Sequence, residues 1–225
     1  MIRFASASLI LLLFLTSFTM QKKTRVIFFG DSITQAGVQP GGYIQRISEM
    51  ITKEGLKDSF ELIGAGIGGN KVYDLYLRLE EDVLNKKPDM VIIYVGVNDV
   101  WHKQTYGTGT DAPKFDQFYR KLISRIKAQG ATVILATPAV IGEKTDFSNP
   151  LDGDLNQYSN IIRGIASDEG LALVDLRKSF LQYNERYNPS NKESGILTSD
   201  RVHLNDKGNQ LVADEMWSMI KKVRN

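Results

Sequence analysis

Cysteine is absent from the 225 residues. That excludes a disulfide framework, a thiolate nucleophile, Cys-ligated zinc and a lipid anchor on cysteine, and it leaves the compartment open. An excess of one charge sign is missing too: 28 Lys and Arg against 26 Asp and Glu give a formal net charge of +2. Basic residues cluster only in short runs such as Lys22-Lys23, Lys86-Lys87 and Lys221-Lys222, so no nucleic-acid or other polyanionic partner is expected. Histidine is scarce. There are two, so an imidazole base can only be His102 or His203.

Long apolar runs are lacking except at the N-terminus, where Arg3 precedes Leu9 to Phe18 and Gln21-Lys22-Lys23 follows. About ten apolar residues suit the h-region of a secretory signal, whereas a membrane span needs about twenty. Residues 1–20 are therefore expected to be a signal peptide of a secreted or periplasmic protein, with no stable membrane partner once it is removed. Small residues Ser17 and Thr19 stand near the end of the run without an A-x-A site. Residues 24–225 remain for folding, a length that suits one domain, and the 42% hydrophobic content is that of an ordinary globular chain.

What is present is an alternation of strand and helix signals. Val26-Ile27-Phe28-Phe29 reads as a short buried strand, followed by Gly30-Asp31-Ser32. Ile44, Ile47, Met50 and Ile51 recur at helical spacing, and Phe60 to Ile63 is a second strand that runs into Gly64-Ala65-Gly66-Ile67-Gly68-Gly69-Asn70. Val72, Leu75, Leu79, Val83 and Leu84 form the next helical stripe. Met90 to Val95 is an unbroken apolar run, as expected for a central parallel strand covered on both faces. It ends at Gly96-Val97-Asn98-Asp99, and a polar loop is expected from His102 to Ala112. Then come a helix through Phe115, Phe118, Leu122, Ile123 and Ile126, a strand at Thr132 to Ala136, a long loop from Pro138 to Gly153, and a helix around Leu155 to Ser167. A strand at Ala172 to Asp175, a helix at Leu176 to Tyr187 and a final helix from Asp206 to Lys222, with Asn205 as N-cap, complete the pattern. This rhythm predicts an α/β fold with a parallel sheet covered by helices on both faces.

In such a sheet, chemistry gathers beyond the carboxyl ends of the strands. Ser32, Gly69 and Asn98 follow the first, second and third strands, and Asp200-Arg201-Val202-His203 precedes the last helix. Serine hydrolysis needs a hydroxyl, a base beside it and an acid that fixes the base's tautomer. Ser32, His203 and Asp200 fit those needs, the last two on one turn. The oxyanion would find donors in the backbone N–H groups of Ser32 and Gly69 and in the Asn98 amide.

These four blocks, in this order and at this spacing over about residues 25 to 222, resemble the SGNH (GDSL-type) hydrolases. The resemblance implies a three-layer α/β/α, flavodoxin-like fold with a five-stranded parallel sheet of order 2-1-3-4-5. It also implies the roles just given to Ser32, Asp200 and His203 as triad and to Ser32, Gly69 and Asn98 as oxyanion hole, with no metal and no organic cofactor. Ile33 stands where the name-giving motif has leucine.

Two motifs compete. Gly64 to Gly69 satisfies G-x-G-x-x-G, the dinucleotide fingerprint, but it follows the second strand, and Asp89, about twenty residues on, falls at the start of a strand rather than its end. Asp99-Val100-Trp101-His102 is a second D-x-x-H; Asp99 is expected to brace the G-x-N-D turn, and His102 to line the mouth of the site or stand exposed. Asp31 reads as an Asx-turn residue shaping the approach to Ser32. The expected reaction is hydrolysis of a carboxylic ester through an acyl-serine. The loops near the site, Trp101–Pro113, Pro138–Gly153 and Asn184–Ser199, are polar with a few aromatics, which suits short acyl groups such as acetyl on a carbohydrate or other small alcohol. The alternatives are an O-acyltransferase using the same residues, a lysophospholipase- or thioesterase-type acyl hydrolase, and a non-catalytic carbohydrate-binding protein.

Overall fold

Val26, Ile27, Phe28 and Phe29 are at most 1% exposed, because their strand has a neighbour on either side and helices on both faces. In the computed structural model, which describes residues 22–224, this strand is β1 (Thr24–Gly30). It lies between β2 (Phe60–Gly66) and β3 (Met90–Tyr94), and β4 (Thr132–Ala136) and β5 (Ala172–Val174) continue the sheet. All pairings are parallel and the order is β2-β1-β3-β4-β5, the arrangement expected. Gly30 lies opposite Gly66 on one side and Tyr94 on the other. Three strands therefore end level, and the segments after them start from one edge.

The chain steps from β1 to β2 in one direction across the sheet and from β2 onward in the other, which puts the crossover helices on opposite faces, given right-handed connections. On one face α2 (Tyr43–Lys53) packs against α8 (Asp206–Arg224). On the other, α3 (Val72–Asp82), α5 (Ala112–Ala128) and α6 (Asp152–Glu169) lie side by side. Ile44, Ile47 and Ile51 of α2 and Val212, Met216 and Ile220 of α8 are buried at helical spacing. Asn205 Oδ1 accepts from Gly208 N at 3.1 Å, the expected cap of α8. α7 (Leu176–Tyr187) has the bounds expected of it. No helix among the described residues is long and apolar enough to cross a membrane. The expected signal segment, residues 1–20, lies outside the described residues.

Two helices lack a counterpart in the sequence reading. α1 (Ser32–Gly37) has only six residues, too few for an apolar stripe, and starts on the Asp31 cap. α4 (Val97–Thr105) takes in part of the expected polar loop, so His102 to Thr105 are helical. It was hidden because its buried face carries Asn98 and Asp99 between Val97 and Val100. The last of the three expected site loops also starts late, since Asn184 to Tyr187 belong to α7.

β2 runs further than its apolar residues suggest, through Gly64 and Gly66. The glycines serve packing. A Cβ on Gly66 would run into the Gln35 backbone nitrogen, so only glycine lets α1 lie this close to β2. The first half of the G-x-G-x-x-G stretch is thus strand rather than a phosphate-cradling loop.

Candidate active site

Ser32 is the first residue of α1. The Asp31 carboxylate caps the helix, accepting from Ile33 N at 3.0 Å, and the Asp31 carbonyl accepts from Gln35 N at 2.9 Å. The tight step from strand to helix leaves the Ser32 side chain half-buried at the sheet edge.

Ser32 Oγ lies 2.9 Å from Nε2 of His203. The other ring nitrogen, Nδ1, lies 2.7 Å from Asp200 Oδ2. Asp200 Oδ1 meanwhile accepts from the backbone N–H groups of His203 at 2.7 Å and Val202 at 3.1 Å. Partial burial of Asp200 works to raise its pKa, but hydrogen bonds from the His203 ring and backbone outweigh it and hold the carboxyl below its ordinary value. A carboxylate on Nδ1 selects the tautomer that carries its proton there, which leaves Nε2 to accept from the serine hydroxyl. The Asp200–His203 turn includes Arg201 at φ +86°, in the left-handed region. That bend lets one carboxylate reach both the backbone and the ring of the residue three positions on.

Gly69 sits in the loop between β2 and α3 at φ +74°, where a side chain would be strained. The loop is seated against α1: Gly68 N donates to Gln35 Oε1 at 2.9 Å, and a Cβ on Gly68 would lie 3.9 Å from that of Ser32. Among the described residues, neither Ser32 N–H nor Gly69 N–H donates a hydrogen bond to the protein. Asn98, in the first turn of α4, is 2% exposed and donates through Nδ2 to Asn70 O at 3.1 Å. Its amide therefore reaches the same glycine loop. The sequence-predicted residues divide into two joined groups, Ser32–His203–Asp200 and Gly68-Gly69–Asn70–Asn98, with α1 between them.

The second D-x-x-H goes elsewhere. Both Asp99 oxygens accept from Val72 N, at 3.1 and 3.3 Å, which ties α4 to the start of α3. His102 packs edge-on to Tyr106, with ring centroids 4.9 Å apart, and its Cε1 borders Gly69. Partial burial, helped by the Lys71 cation, pushes the His102 pKa down. Asp99 braces the G-x-N-D turn as expected, and His203 is the histidine at the serine.

Two carboxyls beneath the site carry a proton more readily than usual. Asp31 and Asp99 are 2% and 0% exposed, and burial pushes each up to about 7. Among the described residues no group of three or more His, Cys, Asp and Glu could hold a metal ion.

Sequence reasoning missed Arg78. Its guanidinium donates to Gly30 O at 2.7 Å, Ala65 O at 3.0 Å and Asn70 Oδ1 at 2.7 Å, and it lies over the Phe29 ring at 4.6 Å. It pins the ends of β1 and β2 and the glycine loop to α3. The signal was its place in the helical pattern, three residues after buried Leu75 and one before buried Leu79. Beside the triad turn, Trp101, Ile141, Asp200, Arg201 and Val202 line a cavity of about 80 Å³.

Comparison with known proteins agrees with this geometry. The model of the GDSL-like Lipase/Acylhydrolase family matches residues 28–211. The chain belongs to this family. It is a GDSL-type serine esterase, and its sheet order is that of the SGNH hydrolases. The crystal structure of an acetyl xylan esterase, AlAXEase, superposes with a TM-score of 0.85 at 63% identity, covering 86% of this chain and 98% of that one. The acetylxylan esterase of Geobacillus stearothermophilus is 28% identical over 205 residues, 84% of this chain and 90% of its own. Solved forms of that enzyme include catalytic mutants in which a serine, a histidine or an aspartate is replaced by alanine. The isoamyl acetate-hydrolyzing esterase 1 homolog of Bos taurus is 25% identical over 221 residues, 88% of this chain and 82% of its own.

Proposed function

We propose that this esterase removes acetyl groups from acetylated carbohydrates, with Ser32, His203 and Asp200 as its triad. The observation that carries the reading is the unbroken relay from Ser32 Oγ through both ring nitrogens of His203 to Asp200. Ser32 Oγ attacks the acetyl carbonyl as its proton passes to His203 Nε2. Asp200 holds the ring and stabilises the imidazolium. The carbonyl oxygen, now an oxyanion, takes hydrogen bonds from Ser32 N–H, Gly69 N–H and Asn98 Nδ2. Collapse of the intermediate breaks the ester C–O bond. His203 gives the proton to the departing sugar oxygen, which leaves as a hydroxyl, and the acetyl group stays on Ser32. Water, deprotonated by His203, then attacks the acetyl-serine; the acyl C–Oγ bond breaks, His203 returns the proton to Ser32 Oγ, and acetate departs.

The acetyl preference is supported by the two acetylxylan esterases among its relatives. Trp101 on α4 and exposed Tyr106 just beyond its end offer faces on which sugar rings stack. The charged and then apolar stretch at the N-terminus supports export, and residues 24–225 would be the mature hydrolase domain.

The test is hydrolysis of p-nitrophenyl esters of increasing acyl length and acetate release from acetylated xylan, with Ser32→Ala as blank. Highest kcat/KM on acetyl esters, acetate from the glycan and an inert Ser32→Ala are expected. Preference for long-chain esters would contradict the substrate reading. Chromatography of products with a sugar acceptor present should give acetate rather than an acetylated acceptor.

A further inference from the structure

Glu143 lies seven residues beyond β4 and is 1% exposed. Its Oε1 accepts from Leu197 N at 2.6 Å and Thr198 N at 3.0 Å, and its Oε2 accepts from Ile196 N at 2.9 Å. Three successive backbone N–H groups thus end on one buried carboxylate. Consecutive N–H groups pointing one way form an anion-binding concavity, and here the anion comes from the chain itself. The segment needs it: residues 196–198 have no helix to absorb these donors, and their one ladder contact is the Thr198–Leu204 bridge.

The same segment leads into the triad turn. Gly142 N, one residue before Glu143, donates to Arg201 O at 2.8 Å, inside the Asp200–His203 turn. Beyond the clamp, Ser199 N donates to His203 O at 2.8 Å and Asn205 N to Leu197 O at 3.0 Å. On the other side, Glu143 N donates to Glu193 O at 2.9 Å, and its carbonyl accepts from buried Asn188 Nδ2 at 2.8 Å. Glu143 therefore stands at the hub of the loops that present His203, although it touches neither the imidazole nor Ser32.

We propose that Glu143 is a positioning residue for His203: its carboxylate fixes residues 196–198 so that the imidazole is held within reach of Ser32. This rests on His203 being the base. Three donors face the group, and a carboxylate meets them with two acceptor oxygens. Glutamine would offer one oxygen and turn an NH2 group toward N–H groups. Aspartate is one methylene too short.

The test is Glu143→Gln in the full chain, assayed on an acetyl p-nitrophenyl ester beside His203→Ala and a stability control, Ile126→Ala. Ile126 is buried in the last turn of α5, near the opposite edge of the sheet. Misplacement of a catalytic group by about 1 Å costs on the order of 100-fold in rate, so Glu143→Gln should lose about 10- to 100-fold in kcat with KM little changed. Ile126→Ala should lower Tm while kcat is retained. In a His203→Ala background Glu143→Gln should have no further effect on the residual rate, because it acts through that ring. Should Glu143→Gln not fold, Glu143→Asp, which retains the charge, carries the same comparison. Full kcat in a folded variant of Glu143, or a further loss in the His203→Ala background, would overturn the proposal. Full activity of His203→Ala itself would overturn instead the reading on which it rests.

Discussion

Asp31 shows what one buried residue costs and supplies. Its carboxylate caps α1 and so sets the place of Ser32, yet burial lifts its pKa from 3.8 to about 7. Between those values the folded chain holds a proton that the unfolded chain has released. Stability from this group is therefore full below 3.8, declines as pH rises and is lost above about 7. Asp31→Asn keeps an acceptor for Ile33 N and removes the charge. Thermal unfolding should show the variant more stable than the parent at about pH 8, by on the order of 5 °C, with the gain shrinking toward about pH 5. A gain that does not change with pH would contradict burial as the cause. The capping role of Asp31 was legible, because Asp before a helix start is a local signal. Its titration was not, since the burial that raises it comes from the packing of the whole sheet edge rather than from local sequence.

At the level of elements, the site depends on two short helices and one arginine. α1 and α4 carry Ser32 and Asn98, and both escaped the apolar-period reading because one is brief and the other buries polar side chains. The strands were legible because Val26–Phe29 and Met90–Val95 are apolar without alternation, the mark of burial on both faces. The glycine loop was legible as a turn but not as the continuation of β2, since Gly64 and Gly66 have no side chain to show a pattern and take their strand from pairing with β1. Arg78 locks these pieces together. Arg78→Met retains an unbranched apolar stem and removes the guanidinium, with its contact over Phe29 and its donors to Gly30 O, Ala65 O and Asn70 Oδ1. The expected cost is on the order of 2–4 kcal/mol in denaturant unfolding, with kcat reduced because the Gly69 loop is released. An unchanged midpoint and kcat would show that α3 holds the strand ends without it.

Across the whole molecule, residues some 170 positions apart meet because every strand of the sheet points the same way. The parallel order puts the ends of β1, β2 and β3 level, and α8 returns along the α2 face so that the turn before it reaches Ser32. The alternation of strands and helices was enough to infer that shared edge, and the four motif blocks named its residues. The loops between Thr137 and Leu151 and between Asn188 and Ser199 were legible only as polar stretches. Their order comes from buried polar contacts such as Glu143 on Ile196–Thr198, which leave no periodic trace. The central claim is that His203, and not His102, activates Ser32. It is tested most directly by the rate at which a fluorophosphonate labels the protein covalently, compared among the parent, Ser32→Ala, His203→Ala and His102→Ala. No labelling of Ser32→Ala, a loss of about 10³-fold or more in His203→Ala and a rate of the parent's order in His102→Ala are predicted. Loss of labelling in His102→Ala beside a competent His203→Ala would contradict it.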